Sequence, residues 1–286
     1  MTLDDLFGLV GCFRNLEREV NALFFEREEA IRAAILALMM NEHVYQIGQP
    51  GTGKSLLIRT LAQRVSGSFF FETLLNGEST RESLSGSTGR QSLANAHIVF
   101  LDEVFRAPKS LLFSLLPALN ERIFYDGGPR RLPLLSLFAA SNQNPSPADG
   151  LDAFYDRFTF RSLVRPIERK ENFQNYMEDH RPETFHWGDS PLPVDSLKES
   201  GSAIRRLVEF DVRGREAIWH VRERFSQEGI WLSDRRWKKV WNAAKGSAAY
   251  AFSERVRETH VRELFPVLWT YPTEFRMIER ILLEIS

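Results

Sequence analysis

The octapeptide Gly48-Gln-Pro-Gly-Thr-Gly-Lys-Ser55 restricts this chain more than any other feature. Glycines and a lysine at this spacing let successive backbone N–H groups close around phosphate oxygens, provided the loop opens a helix whose N-terminus also faces the anion. The flanks meet that condition: His43 to Ile47 reads as a short apolar strand, and Leu56 to Val65 carries the apolar period of a helix. A strand, loop and helix of this kind belong to a parallel sheet covered on both faces. Gly48, Gln49, Pro50, Gly51, Thr52, Gly53, Lys54, Ser55 and Leu56 are therefore the candidate nucleotide-binding residues. Lys54 would reach the β and γ phosphates, and Ser55 would offer its hydroxyl to magnesium.

The rest of the chain supplies such a sheet. Ile31, Ala34, Ile35, Leu38 and Met39 predict an amphipathic helix over Glu28 to Met40. Phe69–Leu74, His97–Leu101, Leu134–Ala140 and Phe158–Val164 read as further strands, the middle two apolar enough to be central. Lys109 to Asn120 has a helical pattern, and Glu121 to Leu132 reads as a hairpin turning at Asp126-Gly127. The polar stretch Glu78–Ser92 reads as a surface loop or a poorly formed helix, and Asp189–Asp195, with Pro191 and Pro193, as a loop. Past Pro166 the strand signals fade. Helical periods continue through Trp237, Val240, Trp241 and Ala244, then Ile278, Ile281, Leu282 and Ile285. The expected division is an αβα nucleotide-binding core over residues 1–166 and an all-α domain over residues 167–286.

Two adjacent carboxylates, Asp102 and Glu103, end the strand His97-Ile-Val-Phe-Leu. Open α/β sheets hold their ligands at that edge, so Asp102 is placed to hold magnesium and Glu103 to activate the water that attacks a γ-phosphate. Asn142 follows another central strand and could hold that water through a neutral amide, although Ser141-Asn-Gln-Asn-Pro145 is also rich in turn formers. Arg157, in Asp152-Ala-Phe-Tyr-Asp-Arg157, could extend its guanidinium to a neighbouring subunit's γ-phosphate or pair with the acids beside it. Ser233 is a candidate N-cap, which puts Arg235 and Arg236 in a first helical turn, where the helix dipole disfavours cations unless an anion lies near. Trp237 and Trp241, at helical spacing, are expected in the core rather than against bases.

Charge and cysteine content narrow the partners. Lys and Arg total 37 against 38 acids, which gives no global case for nucleic acid. The single Cys12, the absence of a secretory signal and apolar runs no longer than Ala33–Met40 lead us to expect a soluble, cytoplasmic chain. No histidine pair has zinc-ligand spacing, so magnesium is the only metal implied.

Taken together, GQPGTGKS, HIVFLDE, LFAASNQNP, GLDAFYDRF and LSDRRWKK resemble the MoxR family of AAA+ ATPases, with the RavA-type branch nearest, over most of the chain from about Val20. The resemblance implies an AAA+ core with a parallel five-stranded sheet and a helical lid. It implies ATP and Mg2+ as ligands, and a homo-oligomeric ring, usually hexameric. By the same resemblance Asn142 is the sensor-1 residue, Arg157 an arginine finger acting in trans, and Arg235 the sensor-2 residue with Arg236 in reserve. Phe25 and Glu26 would lie near the adenine, and the hairpin would be the pre-sensor hairpin. The implied activity is ATP hydrolysis that remodels a protein partner, such as a von Willebrand factor A domain protein. One departure is plain: the stretch from Ser85-Gly86 to His97 is too short for the helix-2 insert hairpin that relatives carry. The alternative is a nucleotide-gated assembly module in which hydrolysis is incidental.

Overall fold

The computed structural model describes residues 1–85, 92–125, 128–144, 149–178 and 192–285. Its helices are α1 (Leu3–Asn21), α2 (Glu28–Met40), α3 (Lys54–Gln63), α4 (Arg81–Ser85), α5 (Lys109–Ser114), α6 (Leu116–Glu121), α7 (Asp152–Tyr155) and α8 (Lys170–Met177). Further on come α9 (Val194–Leu207), α10 (Val212–Gln227), α11 (Asp234–Tyr250), α12 (Glu258–Arg262), α13 (Phe265–Leu268) and α14 (Phe275–Leu283). The strands are β1 (Val44–Ile47), β2 (Val65–Ser66), β3 (Phe70–Leu74), β4 (Ile98–Asp102), β5 (Ile123–Tyr125), β6 (Pro129–Arg131), β7 (Ser136–Ser141), β8 (Phe160–Leu163), β9 (Leu192–Pro193), β10 (Glu209–Phe210) and β11 (Arg255–Val256).

Five strands form one parallel sheet in the order β3-β4-β7-β1-β8. The apolar runs of β4 and β7 sit in its middle, and every residue of β7 is buried, as continuous apolar strands require. All five strands end on one edge, where Leu74, Asp102, Ser141, Ile47 and Leu163 lie. The phosphate loop leaves from that edge. The opposite edge carries the residues that precede the strands, among them His43 and Thr159.

The expected αβα architecture followed by helices is present, with differences in detail. Residues 109–120 form two helices, because Pro117 restarts the helix past Leu115. The hairpin pairs Ile123 with Arg131 and Tyr125 with Pro129, while its expected turn at Asp126-Gly127 lies outside the described residues. Leu192 to Asp195 is not loop: β9 pairs with β2, and α9 begins at Val194. Residues 189–191 there, and residues 86–91 of the other stretch, are likewise outside the description, while the short α4 occupies Arg81–Ser85 within the latter, where a loop or a poorly formed helix was expected.

Sequence reading passed over α1 altogether. Leu6, Leu9, Val10, Phe13, Leu16 and Val20 repeat at helical spacing and are buried, and Thr2 with Asp5 forms a capping box at its start. This helix packs on α2, α9 and α11, so the amino-terminal helices join the sheet to the carboxyl-terminal helical region. Close contact there depends on a glycine. A Cβ on Gly201 of α9 would lie 2.4 Å from the carbonyl oxygen of Met40, the last residue of α2. Trp241 stacks on Phe210 with ring centroids 3.6 Å apart, and Trp237 packs against Phe225, as expected of core residues. Among the described residues no helix is long and apolar enough to cross a membrane.

Candidate functional site

The loop after β1 is held by its surroundings as much as by its own glycines. Gly48 donates its N–H to Ser141 at the end of β7, and a Cβ on Gly48 would stand 2.2 Å from the carbonyl oxygen of Val164. Only glycine fits between those two strand ends. Gly51 and Gly53 adopt φ of +79° and +85°, so glycine is required there by backbone conformation rather than by crowding, since a Cβ on either would meet nothing within 4 Å. Thr52 closes the turn by donating its hydroxyl to the Gln49 carbonyl (2.8 Å). Lys54, the first residue of α3, lies buried with its ammonium on the carbonyls of Gly48 (2.7 Å) and Gln49 (3.0 Å). Burial holds its pKa below the usual lysine value, while Asp102 and Glu103 pull it the other way.

Asp102 is the last residue of β4 and accepts the Glu103 N–H (2.9 Å). Glu103 then turns the chain with φ +50°, a left-handed conformation that costs a non-glycine residue about 1 kcal/mol or more. The turn aims its carboxylate back over the sheet edge. Oε2 is buried without a hydrogen bond, and the Arg106 Nε at 3.2 Å is its ion-pair neighbour. An unsatisfied buried carboxylate oxygen beside a buried lysine is where a water or a metal-bound water fits. Asn142 is half-buried directly after Ser141, the residue that holds Gly48. Residues 48–56, Asp102, Glu103 and Asn142 therefore share one edge of the sheet. A loop of N–H groups, a lysine, a serine hydroxyl and two carboxylates suit a magnesium-bound nucleoside triphosphate.

Phe25 and Glu26 precede α2 and flank this edge through their neighbour. Arg27 donates its Nε to the carbonyl of Thr52 (3.1 Å), clamping the loop from outside. The carboxylate of Glu26, a residue at φ +55°, accepts from the N–H groups of Glu168 (2.9 Å) and Arg169 (3.0 Å), just ahead of α8, and from the Asn172 side-chain amide (2.8 Å), and so ties down the entry to α8. Those bonds, Glu168 first, hold its pKa below the usual glutamate value. The Phe25 ring meets Tyr176 of α8 edge-on, with centroids 6.4 Å apart.

Arg157 and Arg235 lie elsewhere. Arg157 precedes β8, whose first residue pairs with Val44, whereas the phosphate loop follows Ile47 at the other end of β1. Four strand residues span about 13 Å, beyond the reach of one side chain to its own loop. Burial, then the nearby Arg235 charge, lowers the Arg157 pKa, and Asp156 at 4.0 Å opposes them. The Arg157 Nε is buried without a partner. Arg235 reaches this place because Ser233 caps α11, accepting the Arg236 N–H (3.1 Å) while its hydroxyl meets Asp156 (3.4 Å). The two arginines are brought together, and neither joins the phosphate-loop cluster of its own chain.

Arg236, expected as the reserve for Arg235, is a buried tether instead. Its guanidinium donates to the carbonyls of Phe158, just ahead of β8, and Val267 in α13. Burial and then Arg161 push its pKa well down. Sequence reading also missed Lys239, one turn further along α11, which donates to the Arg157 carbonyl (2.6 Å) with Glu42 3.8 Å away. Burial brings Lys239 down to about 8. The helical spacing from Arg235 to Lys239 was the available signal.

Comparison with known proteins bears on the family and the fold. A family model described as the MoxR domain in the MoxR-vWA-beta-propeller ternary systems matches residues 12–180, and one described as an AAA lid domain matches residues 215–282. A crystal structure of a candidate ATPase from Cytophaga hutchinsonii superposes with a TM-score of 0.79 over 99% of this chain and 97% of that one, at 18% identity. At that identity the likeness speaks for the fold alone. The fold is the P-loop AAA+ α/β fold with a helical lid.

Two uncharacterized proteins of Methanocaldococcus jannaschii, MJ0812 and MJ0079, are each 32% identical over 95% of this chain, covering 75% and 73% of their own lengths. Chaperone MoxR1 of Mycobacterium tuberculosis is 28% identical over 69% of this chain and 55% of that protein. The chain belongs to the MoxR family of AAA+ ATPases.

Proposed function

We propose that this chain hydrolyses ATP with Mg2+ in a homo-oligomeric ring of six, and uses turnover to remodel a protein partner. The observation that carries the reading is the separation of two half-sites. The loop edge gathers Lys54, Ser55, Asp102, Glu103 and Asn142, while Arg157 and Arg235 stand together at the far end of β8. Two subunits placed head to tail would join the halves, as a heterologous contact that closes into a ring does. Magnesium, when bound, would neutralise phosphate charge. Ser55 and Asp102 would hold it, the loop N–H groups and Lys54 would orient the phosphates, and Leu56 and Phe25 would border the rest of the nucleotide. Glu103 would take a proton from the attacking water, which Asn142 would hold by its amide. Arg157 and Arg235 of the next subunit would stabilise charge on the departing phosphoryl group.

The remodelling of a partner, with a von Willebrand factor A domain protein as the candidate, is supported by the family match and by the likeness to a chaperone. The division into a core over residues 1–166 and a lid over 167–286, and a cytoplasmic location, belong to the same reading.

The test is Mg2+-dependent ATP hydrolysis per subunit across a wide range of protein concentration. Specific activity should rise steeply with concentration and fall about 100-fold or more in Glu103→Gln, with ATP binding retained. Activity independent of concentration in a chain that sediments as a monomer would sink the composite site. ATP binding without turnover at any concentration would favour the nucleotide-gated assembly module.

A further inference from the structure

Trp231 is more exposed than any other aromatic ring described, at 81%, and it stands two residues ahead of Ser233, the cap that meets Asp156. Trp219 of α10 is 53% exposed close by. Arg222 lies over the Trp219 ring (5.5 Å) and pairs with Asp234 (3.8 Å), the residue before Arg235. Two open indoles and the guanidinium groups of Arg222, Arg235 and Arg157 thus form one surface, tempered by Asp156 and Asp234. Isolated exposed apolar residues need no explanation. Tryptophan and arginine clustered around a buried, unpartnered guanidinium nitrogen is the composition of an interface centre.

A surface that fits lies on the same molecule. Leu74 is 64% exposed at the end of β3 and pairs in register with Asp102, on the edge where Glu103 and the phosphate loop also sit. The carboxylates of Asp102 and Glu103, together with a triphosphate held in the loop, would make that edge anionic and so opposite in charge to the arginine surface. Resting on the ring reading, we infer that Trp231 is the anchor of the contact between copies of this chain. Its indole seats on the Leu74 side of a second copy's phosphate-loop edge and thereby carries Arg157 and Arg235 into that copy's nucleotide site. Trp231 touches no nucleotide. It is a positioning residue whose effect appears in assembly rather than in ATP affinity.

The experiment is sedimentation velocity of the full chain with Mg2+ and ATP across a range of concentration, wild type against Trp231→Ala, alongside ATP binding by dilute protein. Trp231→Ala should raise the concentration for half-assembly about tenfold or more. ATP affinity of the dilute chain should change less than about twofold, because an exposed ring distant from the loop is removed. Mixing then guards against simple misfolding. Lys54→Ala has no working loop but an intact Trp231, and Trp231→Ala has an intact loop. At a concentration where each alone is inactive, the mixture should turn over ATP, since one supplies the anchor and the other the loop. Assembly of Trp231→Ala at the wild-type midpoint, or a mixture as inactive as its components, would overturn the inference. Failure of the dilute wild type to bind ATP would remove the underlying reading and the inference with it, whereas intact binding with an unshifted midpoint removes the inference alone.

Discussion

The two edges of the central sheet are built by different means. At the loop edge, chemistry comes from short contiguous stretches, residues 48–56 and 102–103, and the backbone bears the strain: φ is positive at Gly51, Gly53 and Glu103, and Gly48 fits only for lack of a Cβ. At the other edge left-handed residues occur as well, at Asn41 (φ +57°) and Arg122 (φ +59°), but there the buried cationic side chains carry most of the difficulty. Arg122 lies along His43 and donates to the carbonyls of Asn41 and Leu119, Arg236 to those of Phe158 and Val267, and Lys239 to that of Arg157. Cations there are held by carbonyl oxygens from distant segments rather than by acids alone. One edge is organised to receive charge and the other to keep charge in place, so damage should separate into lost chemistry and lost stability.

That separation can be attacked from both sides. Lys54→Ala should have the largest effect, lowering turnover by about 100- to 10,000-fold while the melting temperature holds or rises slightly, since a buried ammonium is removed. A large fall in melting temperature would break the contrast. Arg236→Ala should do the reverse, costing about 2–5 kcal/mol by urea unfolding through a cavity and two unpaired carbonyls, with ATP affinity of the folded chain unchanged. Gly48→Ala should blur the two classes. The Val164 carbonyl must shift to admit the new methyl group, so both stability, by about 1–3 kcal/mol, and ATP affinity should fall.

Lys239 sharpens the contrast through pH. Its folded pKa of about 8 lies below its ordinary value of 10.5, so the unfolded chain binds more protons between those values and stability rises with pH across the window. Relative to Lys239→Met, the wild type should gain about 2 kcal/mol between pH 7.5 and 9.5 in parallel urea titrations. Equal slopes for the two proteins would mean that the ammonium is more hydrated than its packing indicates.

The same contrast explains what could be read from the sequence. The loop edge was legible because its constraints are local: Gly48 to Ser55 specify the turn, Asp102-Glu103 end an apolar strand, and helix Glu28–Met40 was placed to the residue by its period. The far edge was legible only where a motif resembled a family, as with Arg157 and Arg235. Nothing in Asp234-Arg-Arg-Trp states that Arg235 faces solvent while Arg236 is buried between β8 and α13, because rotation about the helix axis is set by tertiary packing. Helix α1 is the opposite case. Its period was present in the sequence and was overlooked, and with it the way the amino-terminal helices brace the lid.

Glu26 and Arg27 leave a mechanical consequence. One side chain grips the phosphate loop at Thr52 and the other grips the segment that leads into α8, and a single peptide bond separates them. A linkage that short has no slack: displacement of the loop is delivered to α8 undiminished, as through a crank with one pin. Amide exchange at Glu168 and Arg169 therefore serves as a remote gauge of the loop, and it should slow about twofold or more when ATP is added and lose that response in Glu26→Ala.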